Sequence, residues 1–193
     1  ITTYYDKTST TVSGSQIESD IRATATTFST NNLERFGNKL RYSRFTRSLD
    51  NITTGSILNN DVTISLEKRF VPNINKSERL LLNFNNKIRK GTLSSTEFTY
   101  KSFPAYLDDD SLGNVNIYRY NDAKVKTNII TNAGTVDYNT GQVEINNFAP
   151  SAYADTQLKV SITPDTFDVS PVREQILLMD SASAIITIVS ETT

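Results

Sequence analysis

Histidine, cysteine and tryptophan are absent from this 193-residue chain, and methionine occurs once. Those absences exclude whole classes of chemistry. No disulfide framework, thiolate nucleophile, Cys/His zinc site, histidine general base or Ser-His-Asp triad can exist here. Carboxylates, Lys, Tyr and carboxylate-held metals are what remain for catalysis. Glycine (7) and proline (5) are scarce, so this is no low-complexity linker. The glycines stand far apart, and no phosphate-cradling loop is present. No apolar run approaches the roughly 20 residues that cross a bilayer, and no charged-then-apolar signal peptide opens the chain. The first residue is Ile1, as expected of a processed product or an excised fragment.

What is present is polar and uncharged. Thr (26), Ser (20) and Asn (19) together make about a third of the chain. Thr favours strands, while Asn and Ser favour turns and caps, so the mixture suits a β-rich protein with many loops. Nine Phe and nine Tyr recur in patterned segments, which argues against disorder. The net charge of −1 hides an asymmetry. Residues 1–103 hold 15 basic and 9 acidic side chains, and residues 104–193 hold 5 and 12. Opposed halves can attract within a chain or steer one subunit toward another.

Periodicity divides the chain near residue 60. Ile17 and Ile21 predict a short helix at 15–24. Phe45, Leu49 and Ile52 share one face of a helix starting near Ser43, a candidate N-cap, with Thr53-Thr54-Gly55 as its stop. From Asp61 to Phe70 the period is 2, with Val62, Ile64 and Leu66 on one side, and Pro72-Asn73 ends that strand. Further strands are expected at Leu80–Leu82–Phe84, at Phe98–Tyr100 stopped by Pro104, and at Val115–Ile117 with Tyr118 and Tyr120. Strands are also expected at Leu158–Val160–Ile162, Ile176–Met179 and Ile185–Val189. Two alternating runs flank Asn139-Thr140-Gly141, which predicts a hairpin joining 134–138 to 142–147 with Gly141 at positive φ. The expected fold is mainly β with a minor helical part (α+β), antiparallel strands and hairpins from about residue 61 onward and short helices before it. The expected division is 1–60 and 61–193, the latter as one continuous body or split near 104.

Three clusters invite a chemical reading. Asp108-Asp109-Asp110-Ser111-Leu112-Gly113-Asn114 carries alternate carboxylates ahead of a glycine, in the manner of a calcium loop. Its twelfth position is Arg119, where a bidentate Glu is required, so a solvated acidic turn is the better reading. Asp137 and Glu144 can face one another across the hairpin, although exposed strand positions explain them better. Arg35, Lys39, Arg41, Arg44 and Arg47 form a basic run with no acid between its ends, interleaved with Phe36, Tyr42 and Phe45. A nucleic-acid binder uses such a mixture. The mildly acidic chain disfavours that partner, leaving a protein interface or a solvated face.

Four stretches, 36–45 (FGNKLRYSRF), 61–70 (DVTISLEKRF), 134–141 (GTVDYNTG) and 171–177 (PVREQIL), occur in an order that resembles the C-terminal part of the large baseplate wedge protein of T-even-type contractile-tailed phages, with more distant baseplate J-like relatives. The resemblance spans 28–189 and is one of strands and turns; the N-terminal part of that family is missing. It implies a structural, non-enzymatic role. It implies dimers linked into a ring around the tail hub, contacts with other baseplate proteins, and residence in the virion after assembly in the host cytoplasm. No cofactor, small-molecule substrate or membrane insertion is expected. The competing reading is an adhesin-like β module whose exposed Tyr and Asn bind carbohydrate or protein, followed by a carboxylate-only hydrolase. Exposed aromatics along one groove favour the module, and a large apolar self-complementary patch favours assembly.

Overall fold

A computed structural model describes residues 1–52 and 56–192. The expected helix stop at Thr53-Thr54-Gly55 lies outside the described residues. In chain order the first elements are β1 (Thr2–Asp6), α1 (Gly14–Asn32), α2 (Tyr42–Asp50), β2 (Ile57–Asp61), β3 (Leu66–Phe70), β4 (Glu78–Asn83) and β5 (Ser94–Ser95). They are followed by β6 (Phe98–Tyr100), β7 (Phe103–Asp109), β8 (Asn114–Tyr120), β9 (Lys126–Asp137) and β10 (Gln142–Phe148). The last are β11 (Ala152–Tyr153), β12 (Leu158–Ile162) and β13 (Thr187–Glu191). The fold is therefore mainly β with a small helical part near the start, as the periodicity predicts. It forms two compact units, Ile1–Thr63 with Phe167–Thr193, and Ile64–Thr166.

In the first unit β1 is the centre of a three-stranded sheet, parallel to β13 and antiparallel to β2. Buried Thr3 donates its hydroxyl to Asn60 Oδ1 at 2.6 Å, so the two buried polar side chains facing each other across β1 and β2 are paired. Ser13 caps α1, its hydroxyl accepting from Gln16 N–H. Ile17, Ile21, Ala25 and Phe28 then bury one helical stripe, and the Phe28 ring meets Phe45 of α2 at 5.1 Å. Burying each such large apolar side chain contributes about 1.5–3 kcal/mol. The helix runs well past residue 24. Thr24, Thr26, Thr27 and Thr30 are weak helix formers, but the stripe continues beneath them and packing overrides propensity.

The second unit is a curled ten-stranded sheet ordered β3-β12-β5-β7-β8-β9-β10-β4, with β6 pairing β7 and β11 pairing β6. Alternate residues supply its core: Leu107, Val115, Ile117, Val143, Ile145, Leu158 and Val160 are essentially inaccessible. Phe98 packs edge-on against Phe148 at 5.2 Å.

Several local expectations are corrected. Residues 61–70 are two strands rather than one, because hydrogen-bonded pairing breaks between Asp61 and Leu66. The burial alternation nevertheless continues across the break. Pro104 lies inside β7 and stops nothing. The Phe98–Tyr100 strand turns instead at Lys101 (φ +48) and Ser102 (φ +68), a two-residue hairpin loop with both residues at positive φ. Pro104 is opposite Thr99, and β8 pairing begins only at Tyr106, so the missing N–H costs no ladder bond. Ile176–Met179 forms no strand, and the final strand begins at Thr187 and runs parallel to β1. The predicted hairpin is present, with Gln142 opposite Asp137 and Gly141 at φ +78, but its loop has four residues, Tyr138 to Gly141.

Candidate interaction surfaces

The basic run occupies α2 and the segment before it. Arg41 is the N-cap of α2 and makes no side-chain capping bond; the expected cap, Ser43, sits inside the helix. Asp168, more than a hundred residues away in sequence, does the capping. Its Oδ1 accepts the Tyr42 N–H at 2.9 Å while its Oδ2 accepts Arg41 Nη1 at 2.8 Å. The Arg41 guanidinium, then the Tyr42 N–H, holds the Asp168 carboxyl below its usual range. Phe45 and Leu49 anchor the inner face of α2 and are buried, while the half-buried Tyr42 ring lies 5.1 Å from Phe167. Helical spacing puts Arg44 and Arg47 on the opposite, outer face.

Arg35, Lys39, Arg41, Arg44 and Arg47 are all exposed, as is Phe36 at 72%. Of the five cations only Arg41 has an ion-pair partner among the described residues. The interleaved aromatics divide: Phe45 belongs to the core, Tyr42 to its margin, and Phe36 to the surface.

The three consecutive aspartates separate into three jobs. Asp109 is buried, which the reading as a solvated turn did not foresee. It accepts from Gly91 N (2.7 Å), Leu93 N (2.8 Å), Ser111 N (3.3 Å) and Tyr138 Oη (2.6 Å). Asp110 is the half-buried turn residue, accepting the Asn114 side-chain amide and the Asn114 and Leu112 N–H groups, bonds that lower its pKa. Asp108 points outward, where it pairs with Lys126 and accepts from Asn116 Nδ2 at 3.3 Å. Among the described residues no three acidic side chains converge on one metal position. Asp137 and Glu144 do not face each other. Asp137 accepts backbone N–H groups of the hairpin loop, and Glu144 holds Arg79 through two bonds of 2.6 and 2.7 Å.

Beside Asp108 the same outward face carries an aromatic cluster that the sequence reading left unassembled. Tyr106, Tyr118 and Tyr120 lie 5.6–6.0 Å apart, centroid to centroid. Register explains the grouping: Tyr106 is opposite Tyr118 across β7–β8, and Tyr120 is opposite Lys126 across β8–β9. Lys126 Nζ sits 4.3 Å from the Tyr118 ring centroid. A bond from Tyr106 Oη to Glu97 pushes Tyr106 up to about 12, and burial together with the neighbouring Tyr120 pushes Tyr118 up to about 12. A cavity of about 520 Å³ opens here, its walls including Asp108, Asn116, Lys126 and Asn128. The readable signal was the i, i+2 spacing of Tyr118 and Tyr120, but only the register brings Tyr106 and Lys126 to them.

Residues 1–69 match the family model described as baseplate structural protein gp6, C-terminal domain III. The likeness to the C-terminal part of a baseplate wedge protein is thereby shown for this stretch. The match takes in the basic run and β2 and ends within β3. Two of the stretches that carried the sequence resemblance, 134–141 and 171–177, lie outside it. None of the curated proteins matches the chain.

Proposed function

We propose that this protein is a non-enzymatic structural subunit of a phage tail baseplate, acting through self-association as a homodimer and through contacts with other baseplate proteins. The surface formed by Arg35, Lys39, Arg44 and Arg47, with Phe36 among them, docks an acidic protein neighbour. The observation that carries this reading is the state of those cations: four exposed positive groups without ion-pair partners among the described residues, two of them in the segment before α2 and two on α2, whose opposite face is anchored by Phe45 and Leu49. Neither the capping of α2 nor the apolar packing of Phe45 and Leu49 needs them. Charge complementarity at an interface steers encounter and fixes orientation, which is a use for cations that folding leaves idle. The family description of residues 1–69 supports the same reading.

The test is the combined Arg35→Ser, Arg44→Ser, Arg47→Ser variant, which leaves the Arg41–Asp168 pair intact. It should melt as the parent does and fail to enter baseplate assemblies. Normal incorporation defeats the interface, and lost DNA retention with normal incorporation reassigns the surface to nucleic acid. Light scattering across micromolar concentrations tests the dimer separately; a monomer mass throughout refutes it.

A further inference from the structure

The Ile64–Thr166 unit lies almost wholly beyond residue 69, so the family match reaches only its first strand. Its most developed surface is the outward face of β7, β8 and β9. Three features meet there. Tyr106, Tyr118 and Tyr120 form one aromatic cluster, and Tyr120 is 54% exposed at its edge. Beside the cluster the cavity is walled by hydrogen-bonding groups of both polarities: the Asp108 carboxylate, the Lys126 ammonium and the Asn116 and Asn128 amides. The carboxylates of the cavity are already engaged, one by a cation and two by neutral hydrogen-bond donors. Lys126 answers Asp108, Asp109 is saturated by backbone and Tyr138 donors, and Asp110 by its own turn.

That balance decides the ligand class. A metal ion or a free cation would need uncompensated carboxylates, and Asp108 already has its cation. An anion would meet three aspartates. What the face offers is an apolar ring surface next to donors and acceptors with spare capacity. Asn116 spends one of its two Nδ2 hydrogens, and the exposed Asn128 amide has no hydrogen-bond partner among the described residues. We propose that this face binds a neutral oligosaccharide, one sugar ring lying against Tyr120 and a neighbouring ring bonding through its hydroxyls to Asp108, Asn116, Lys126 and Asn128 in the cavity. Sugars present alternating apolar C–H faces and hydroxyl rims, and a mostly pre-formed site with few convergent polar groups is the kind that orients such a ligand.

The experiment uses the full chain with maltotriose and chitotriose as neutral probes and tetramethylammonium as a cation probe, read by saturation-transfer NMR at millimolar ligand. At least one oligosaccharide should bind saturably. Tyr120→Ala and Asn128→Ala, both at exposed positions, should each weaken it about tenfold with unchanged melting, whereas Tyr120→Phe should retain it. Absence of saturable binding by both oligosaccharides overturns the proposal. So does binding that both alanine variants leave intact. Saturation by tetramethylammonium alone overturns it too, because the tyrosines would then be a cation cage.

Discussion

Gly141→Ala should be the most damaging single-methyl addition among the glycines at positive φ. Two costs add. Gly141 has φ +78, where a side chain costs about 1 kcal/mol. A Cβ built there stands 2.2 Å from the Asn86 carbonyl oxygen and 2.9 Å from the Asn86 nitrogen, both backbone atoms that no rotamer change can move aside. Relief requires shifting the 138–141 loop away from residues 84–86, and that strains the bond from Phe84 N to the Gly141 carbonyl, now 2.8 Å. Overpacking of this kind costs about 1–3 kcal/mol, so the total is about 2–4 kcal/mol. Gly37 is the internal control: its φ is +80 and nothing lies within 4 Å of its built Cβ, so Gly37→Ala should cost only the conformational part, about 1 kcal/mol. Denaturant titrations followed by far-ultraviolet circular dichroism and tyrosine emission measure both variants against the parent. If Gly141→Ala proves no more destabilising than Gly37→Ala, the close approach to Asn86 is not a packing constraint and the reasoning fails.

Three further outcomes are expected. Asp109→Ala should cost about 2–4 kcal/mol, because it strands the Gly91, Leu93 and Ser111 N–H groups and the Tyr138 hydroxyl at a buried position; a denaturation midpoint within error of the parent's would refute this. Asp168→Ala should cost about 1 kcal/mol through loss of the α2 cap. Since the folded-state pKa of Asp168 is depressed, its contribution is complete above the ordinary carboxylate range and is lost as pH falls through the folded value, so parent and variant stabilities should converge in acid. Ultraviolet titration should show Tyr106 ionising near pH 12, and Glu97→Gln should bring it down toward the ordinary tyrosine range; an unmoved titration curve would break the link to Glu97.

The parts of the fold legible in sequence are those whose partner lies a few residues away. The 134–147 hairpin shows alternation on both arms and a glycine at the turn, and α2 shows Phe45 and Leu49 at helical spacing. The parts that escaped reading depend on distant chain. β1 has two tyrosines and two threonines but no local partner; its neighbours are β2 and, at the far end of the chain, β13. The α2 cap escaped for the same reason, because Asp168 is remote in sequence. Alternation also says nothing about membership: residues 59–70 keep their two-residue burial rhythm while pairing first with β1 and then with β12. The tyrosine face is half legible, since Tyr118 and Tyr120 advertise one side of one strand, but a cavity wall needs the register of three.

Charge shows how folding reorders what sequence suggests. The two halves of the chain differ in sign, yet the two compact units do not differ much. Ile1–Thr63 with Phe167–Thr193 holds eight basic and ten acidic side chains, and Ile64–Thr166 holds twelve and eleven. The acidic end of the chain returns to the unit that contains the basic run, and Asp168 comes to Arg41. The same return leaves Arg35, Lys39, Arg44 and Arg47 without an ion-pair partner among the described residues, in a unit that has acids in excess. Their positive charge is therefore not a shortage of counter-ions but a matter of where the acids were placed. At physiological salt such charges act over roughly 8 Å, so a partner that uses them must lie against the helix rather than merely near it. Docking on this surface should weaken steadily as salt is raised, and it should do so far less in the Arg35→Ser, Arg44→Ser, Arg47→Ser variant. A salt dependence unchanged by removing those three charges would mean that the attraction resides elsewhere on the chain.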